Sequence, residues 1–140
     1  MYLLDVNVWL ALAFDRHRHH EAASHWFSIA PEDSCLFCRL TQISFLRLAT
    51  TPQVMAEDVL TLNAAWLAYD ALRNDTRVAY ADEPNGLQPV WRGYSQHRTF
   101  SPKVWNDAYL AAFASAADFE LVTFDRGLQS YKQLRCTVLS

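Results

Sequence analysis

Short apolar runs alternate with stretches of helical periodicity along the whole chain, and that alternation limits the fold more than any other feature. Tyr2–Val6, Cys35–Cys38, Arg77–Tyr80, Glu120–Phe124 and Cys136–Leu139 read as strands. Val8–Phe14, His17–Ile29, Leu40–Ala49, Ala56–Leu72, Leu87–Gln96 and Lys103–Ala117 read as helices. Parallel strands need long crossovers, which helices supply, so strands separated by helices predict a parallel sheet covered on both faces. The expected fold class is therefore α/β, with a central sheet of four to five strands.

The helical stretches carry their own predictions. In Leu40–Ala49, Leu40, Ile43, Leu46 and Phe45 fall on one apolar face. In Ala56–Leu72, Val59, Leu60, Leu62, Trp66, Leu67 and Ala71 make a broad face that reads as buried. Asn7 is a candidate cap for the first helix. Ser101-Pro102 reads as a cap followed by proline at the first helical position. The tryptophans, Trp9, Trp26, Trp66, Trp91 and Trp105, fall mostly on apolar faces, where core packing is the default; Trp105, near the acids, is the candidate for stacking a base.

With 140 residues, the chain is expected to form a single domain spanning 1–140. Its 51% hydrophobic content is enough for a core, and with 3 Gly and 5 Pro it lacks the tight turns of a β-sandwich. The Met1-Tyr2-Leu3-Leu4-Asp5 start has no basic leader, and no stretch reaches the roughly 20 apolar residues of a membrane span. A cytoplasmic location is expected, without membrane association. Cys35 and Cys38 have the C-x-x-C spacing, but strand alternation sends their sulfurs to opposite faces, which favours two inert buried thiols. The cluster His17, His19, His20 and His25 lacks the spacing of a tetrahedral zinc site.

Net charge is −3, a weak basis for general nucleic-acid binding. Charge is uneven, however. From Pro84 to Asn106 the chain carries Arg92, His97, Arg98 and Lys103 and no carboxylate. Such a segment can track a phosphate backbone.

Three aspartates give the sequence its chemistry. Asp5 ends the first strand, and Asp125 ends the strand Leu121-Val122-Thr123-Phe124. Asp107 lies in the first turn of a helix. In a parallel sheet all three fall at the carboxyl edge, where functional groups collect. Each alone is explained as a cap or turn residue. Together they form a repelling cluster, and a hard divalent cation offsets such repulsion. Mg²⁺ or Mn²⁺ held there can activate water against a phosphodiester. Lys103 and Arg126, beside the acids, are candidate phosphate contacts.

These residues resemble a known family. Met1-Tyr2-Leu3-Leu4-Asp5-Val6-Asn7-Val8 is similar to the opening strand of PIN-domain toxins of the VapC type. His20-Glu21-Ala22-Ala23-Ser24-His25-Trp26 and Leu40-Thr41-Gln42-Ile43-Ser44-Phe45-Leu46-Arg47-Leu48 resemble its second and third helices. Trp105-Asn106-Asp107-Ala108-Tyr109-Leu110-Ala111-Ala112-Phe113-Ala114 and Leu121-Val122-Thr123-Phe124-Asp125-Arg126-Gly127-Leu128 resemble its C-terminal motifs, the most specific of the set. The resemblance implies a PIN-like three-layer α/β/α sandwich and a metal-dependent endoribonuclease. It implies the toxin role in a type II toxin–antitoxin system, a small antitoxin partner, an RNA substrate and a homodimer. Asp5, Asp107 and Asp125 match three acidic metal positions of the family. The fourth, a glutamate on the third helix, falls within Gln42–Phe45 here, and no carboxylate occurs between Asp33 and Glu57. Gln42 is the candidate neutral oxygen in its place. The missing charge also leaves open a catalytically weak or silent fold that acts by binding antitoxin or RNA. A phosphatase-like or response-regulator-like domain would need an acidic pair after the first strand, which is absent.

Overall fold

In the computed structural model, which describes residues 1–140, all five strands pair in parallel in one sheet, in the order β3-β2-β1-β4-β5. The strands are β1 (Tyr2–Leu4), β2 (Cys35–Phe37), β3 (Val78–Tyr80), β4 (Glu120–Thr123) and β5 (Cys136–Val138). The helices are α1 (Val6–Ala13), α2 (His20–Phe27), α3 (Arg39–Ala49), α4 (Pro52–Met55), α5 (Leu62–Arg73), α6 (Leu87–Ser95) and α7 (Lys103–Ala117). Two 3-10 turns, Ala56–Asp58 and Arg126–Ser130, complete the chain. The expected three-layer parallel sandwich is the one that forms.

Strand alternation divides the core into two layers. Leu4, Cys35, Phe37 and Val122 point to one face and pack with Val8, Trp9, Phe45 and Tyr69 from α1, α3 and α5. Leu3, Leu36 and Leu121 point to the other and pack with Leu87, Leu110, Phe113 and Ala114 from α6 and α7. Trp9 stacks on Phe37 at 3.8 Å, and Phe37 meets Tyr69 edge-on at 4.9 Å. Cys35 lies in the first layer and Cys38 in the second, both buried and free, as alternation requires. Burial pushes the Cys35 thiol up to about 11, which keeps it protonated and inert.

Several local expectations need correction. Ala56–Leu72 is not one helix: Ala56 takes φ 49°, outside the helical region, and α5 starts only where the Thr61 hydroxyl accepts from the Ala64 N–H at 3.2 Å. The broad apolar face predicted to be buried there is open instead, with Leu62 74%, Trp66 48% and Leu67 69% exposed. α5 buries only Ala65 and Tyr69, because Trp9, Phe37 and Phe45 already fill the layer beneath. Ile43 of α3 is likewise exposed, while Phe45 is buried. α7 is capped at Pro102 and not at Ser101.

Candidate active site

The sheet order reverses direction at β1: the chain steps from β1 to β2 and β3 on one side, then returns to β4 and β5 on the other. A crevice opens outside the carboxyl ends of strands at such a reversal. Leu4 pairs with Val122, so the residues that follow, Asp5 and Thr123, face each other across the crevice. Helices that precede parallel strands begin at this same edge, which places the N-terminus of α7 and Asp107 beside them.

Asp5 is fixed on both oxygens. One accepts the Val6 N–H at 2.7 Å and starts α1, so the cap is Asp5 and not the expected Asn7. The other accepts the Thr123 hydroxyl at 2.7 Å. Thr123 Oγ1 accepts in turn from the Asn7 amide at 3.2 Å and the Asp125 N–H at 3.0 Å. Asn7 Oδ1 accepts the Phe124 N–H at 3.2 Å, which ties the start of α1 to the end of β4. Asn7 and Thr123 thus set the spacing of Asp5 and Asp125.

Asp125 caps the following 3-10 turn, its Oδ1 accepting the Gly127 N–H at 2.9 Å. A Cβ at position 127 would stand 3.1 Å from that oxygen, so glycine permits the close approach. Lys103 Nζ donates to Asp125 Oδ2 at 3.0 Å and lies 3.8 Å from Asp107 Oδ2. An ammonium therefore sits where two carboxylates would otherwise repel.

The electrostatics follow from this geometry. Burial raises the Asp5 carboxyl above its ordinary value against the hydrogen bonds from Thr123 and Val6, and the charges of Asp107 and Asp125 push it further. Burial raises Asp107 as well, partly offset by Lys103. Asp125 is lowered, by the Gly127 N–H first and Lys103 second. Lys103 is raised by the same acids. A negative, partly desolvated rim of this kind calls for a compensating positive charge, which Lys103 supplies in this structure. All donors are hard oxygens, as Mg²⁺ or Mn²⁺ prefers. As the side chains lie, no group of three His, Cys, Asp or Glu is close enough to hold a metal ion, so the acids line one rim without forming a closed ligand set.

A cleft of about 170 Å³ joins the rim to α3. Asp5, Asp107 and Lys103 form one wall, and Thr41, Ser44 and Arg47 form the other. Gln42 is not part of that wall: its Oε1 accepts from the Arg39 guanidinium at 2.5 Å. From α3 it is Ser44, and not the expected Gln42, that lines the cleft. Arg126 is exposed and lies outside the cleft lining, whereas Lys103 is in it. Arg47 and Asn106 were missed from sequence; the signal for Arg47 was its helical spacing from Ser44, legible once α3 is known to form the wall. The histidines are engaged locally, with His19 stacked on Phe124 at 4.3 Å and His20 hydrogen-bonded to the Ala11 carbonyl at 2.7 Å.

The family description "PIN domain" matches residues 2–134. The chain belongs to the PIN domain family. Ribonuclease VapC41 of Mycobacterium tuberculosis is 42% identical over 100% of this chain and 99% of its own length. Among solved structures, VapBC2 from Rickettsia felis, bound to a DNA fragment from their promoter, superposes with a TM-score of 0.73 at 12% identity, over 99% of this chain and 98% of that one. The sarcin-ricin loop cleaving toxin VapC20 of M. tuberculosis gives 0.66 at 18% identity, over 96% and 99%. In this PIN domain the three aspartates at the carboxyl edge, and the uncharged Ser44 opposite them, are the features to be explained.

Proposed function

We propose that this PIN domain, a single unit over 1–140, is a metal-dependent endoribonuclease and the toxin of a type II toxin–antitoxin pair. The observation that carries the reading is the rim itself: Asp5, Asp107 and Asp125 brought to the strand-order reversal, with the Lys103 ammonium between two of them. Similarity to VapC ribonucleases supports RNA as the substrate class.

Asp5, Asp107 and Asp125 would hold Mg²⁺ or Mn²⁺. Such an ion, when bound, supplies an activated water and charge neutralisation at the leaving oxygen. The chain's own residues do the remaining work. Thr123 and Asn7 hold Asp5 in position. Lys103, released from the acids, can turn to a phosphate oxygen, and Arg47 faces the same cleft from α3 with no carboxylate partner. Arg126 offers a more peripheral contact. Ser44 contributes a hydroxyl where a carboxylate would add charge, so metal affinity is weaker than with four acids. That absence also favours the second reading, a weak or silent PIN fold that binds antitoxin or RNA.

A small antitoxin is the expected partner, since the matched Rickettsia structure is a VapBC complex on promoter DNA. A second copy of this chain is the expected occupant of the open face of Leu62, Trp66 and Leu67. No helix is long and apolar enough to cross a membrane, and the reading places the protein in the cytoplasm. The test is cleavage of total cellular RNA by purified protein with Mg²⁺, with Mn²⁺ and with EDTA, beside Asp5→Asn. Discrete fragments that need metal and vanish in the variant are expected. Absence of cleavage by folded protein with either metal would leave the silent binding module.

A further inference from the structure

The carboxylate-free stretch Pro84–Asn106 forms α6, the loop after it and the first turn of α7. Its structure carries a feature that the acidic cleft does not use. Trp91 of α6 and Trp105 of α7 meet edge to face, with centroids 6.4 Å apart and planes at 77°. The Trp91 indole N–H donates to the Trp105 carbonyl at 3.0 Å, and the Trp91 ring also packs edge-on against Tyr109 at 5.4 Å. Trp91 is therefore locked. Trp105 is braced at its backbone, yet the residue remains 58% exposed.

Around the two rings lies a hollow of about 330 Å³, walled by Gln88, Arg92, Ser95 and Gln96. Nothing in the chain fills it. Arg92 has no carboxylate partner there, and Arg98 follows in the same segment, next to His97. No acid lines the hollow, and three acids of the neighbouring segments are already engaged: Glu83 accepts from the Tyr109 hydroxyl at 2.8 Å, and Asp107 and Asp125 lie beside Lys103. A preformed aromatic platform, amide groups beside it and a positive surround are what an unpaired nucleobase on a phosphate chain requires. The volume lies at the low end for a ligand site, suited to one ring system and too small for a duplex.

We infer that Trp105 and Trp91, with Arg92, Gln88 and Gln96, form a stacking site for one unpaired base of single-stranded RNA flanking the scissile phosphate. Trp105 lies in the first turn of α7 and Asp107 two residues further on, separated by about 3 Å of axial rise and by roughly the breadth of a helix. A base held on Trp105 thus belongs to a nucleotide close to the one at the acids. The amides of Gln88 and Gln96 can read its edge by donating and accepting. The inference rests on the ribonuclease reading for its substrate, but not on cleavage.

The experiment measures binding of short single-stranded oligoribonucleotides to the full chain in EDTA, by quenching of tryptophan fluorescence and by titration. The same oligomers with abasic sites serve as a comparison. Trp105→Ala should bind base-bearing RNA about 10-fold more weakly, the loss of one stacked base. Abasic oligomers should bind wild type and Trp105→Ala alike, and Trp105→Phe should recover most of the affinity. Equal binding of base-bearing RNA by wild type and Trp105→Ala, or equal binding of base-bearing and abasic oligomers by wild type, would overturn the site. Trp105-dependent binding without metal-dependent cleavage would remove the ribonuclease reading and keep the site; cleavage without Trp105-dependent binding would do the reverse.

Discussion

Helices α5 and α7 carry similar apolar content, yet the chain treats them in opposite ways. α7 buries Ala108 and an unbroken run from Leu110 to Ala114 against the sheet and α6. Its small residues let neighbouring backbones approach on more than one side. α5 buries Ala65 and Tyr69 and leaves Leu62, Trp66 and Leu67 in solvent. Helical periodicity identifies an apolar face in both cases; it does not identify which chain covers that face. α7 is covered by its own chain, and α5 is left open by it.

Three substitutions sharpen this contrast, each read by urea denaturation. Phe113→Ala removes a ring that is 1% exposed, and should cost about 3–5 kcal/mol. Ala112→Leu overfills a fully buried site and should cost roughly 1–3 kcal/mol. Trp66→Ala should change stability of the isolated chain by under about 0.5 kcal/mol while reducing its self-association in sedimentation. A loss on Trp66→Ala as large as that on Phe113→Ala, independent of concentration, would mean that α5 is packed within the chain and the comparison fails.

The sequence made the sheet, its parallel sense and the order of elements legible, because period-two and period-3.6 patterns report local geometry directly. It also made Asp5, Asp107 and Asp125 legible, since strand ends and helix starts share one edge in such a sheet. Gln42 illustrates what it left out. Which residue of α3 faces the cleft depends on how that helix is rotated over the sheet, and Phe45 and Ala49 fix the rotation by burial. That rotation turns Ser44 and Arg47 to the acids and gives Gln42 to Arg39. Likewise Asp5, and not Asn7, caps α1, because the carboxylate immediately after a strand already meets the first free N–H.

The smallest expected effect separates the acidic rim from both helices, since the proposed partner of the rim is an ion and not a chain. Asp5 and Asp107 have folded carboxyls raised above the unfolded value of about 3.9, chiefly by burial. Their charged forms therefore cost stability at neutral pH, and that cost is relieved as pH falls through the raised values. Asp75 has the opposite sign: hydrogen bonds from Arg77 lower its carboxyl, so its contribution is present above about 3.9 and lost as pH falls through the lowered value. In EDTA, acidification from neutral toward about pH 5 should therefore raise the melting temperature of the wild type relative to Asp5→Asn, because the cost of charging Asp5 is relieved while the opposing loss at His17, whose imidazole is lowered by burial, is common to both. With Mn²⁺ the sign at the rim reverses, because ligands must be deprotonated. Stabilisation by Mn²⁺ should be present at neutral pH, fade on the same acidification, and be absent in Asp5→Asn. Thermal melts with and without Mn²⁺ across that range check both arms; stabilisation that persists unchanged in Asp5→Asn would place the ion elsewhere than the rim.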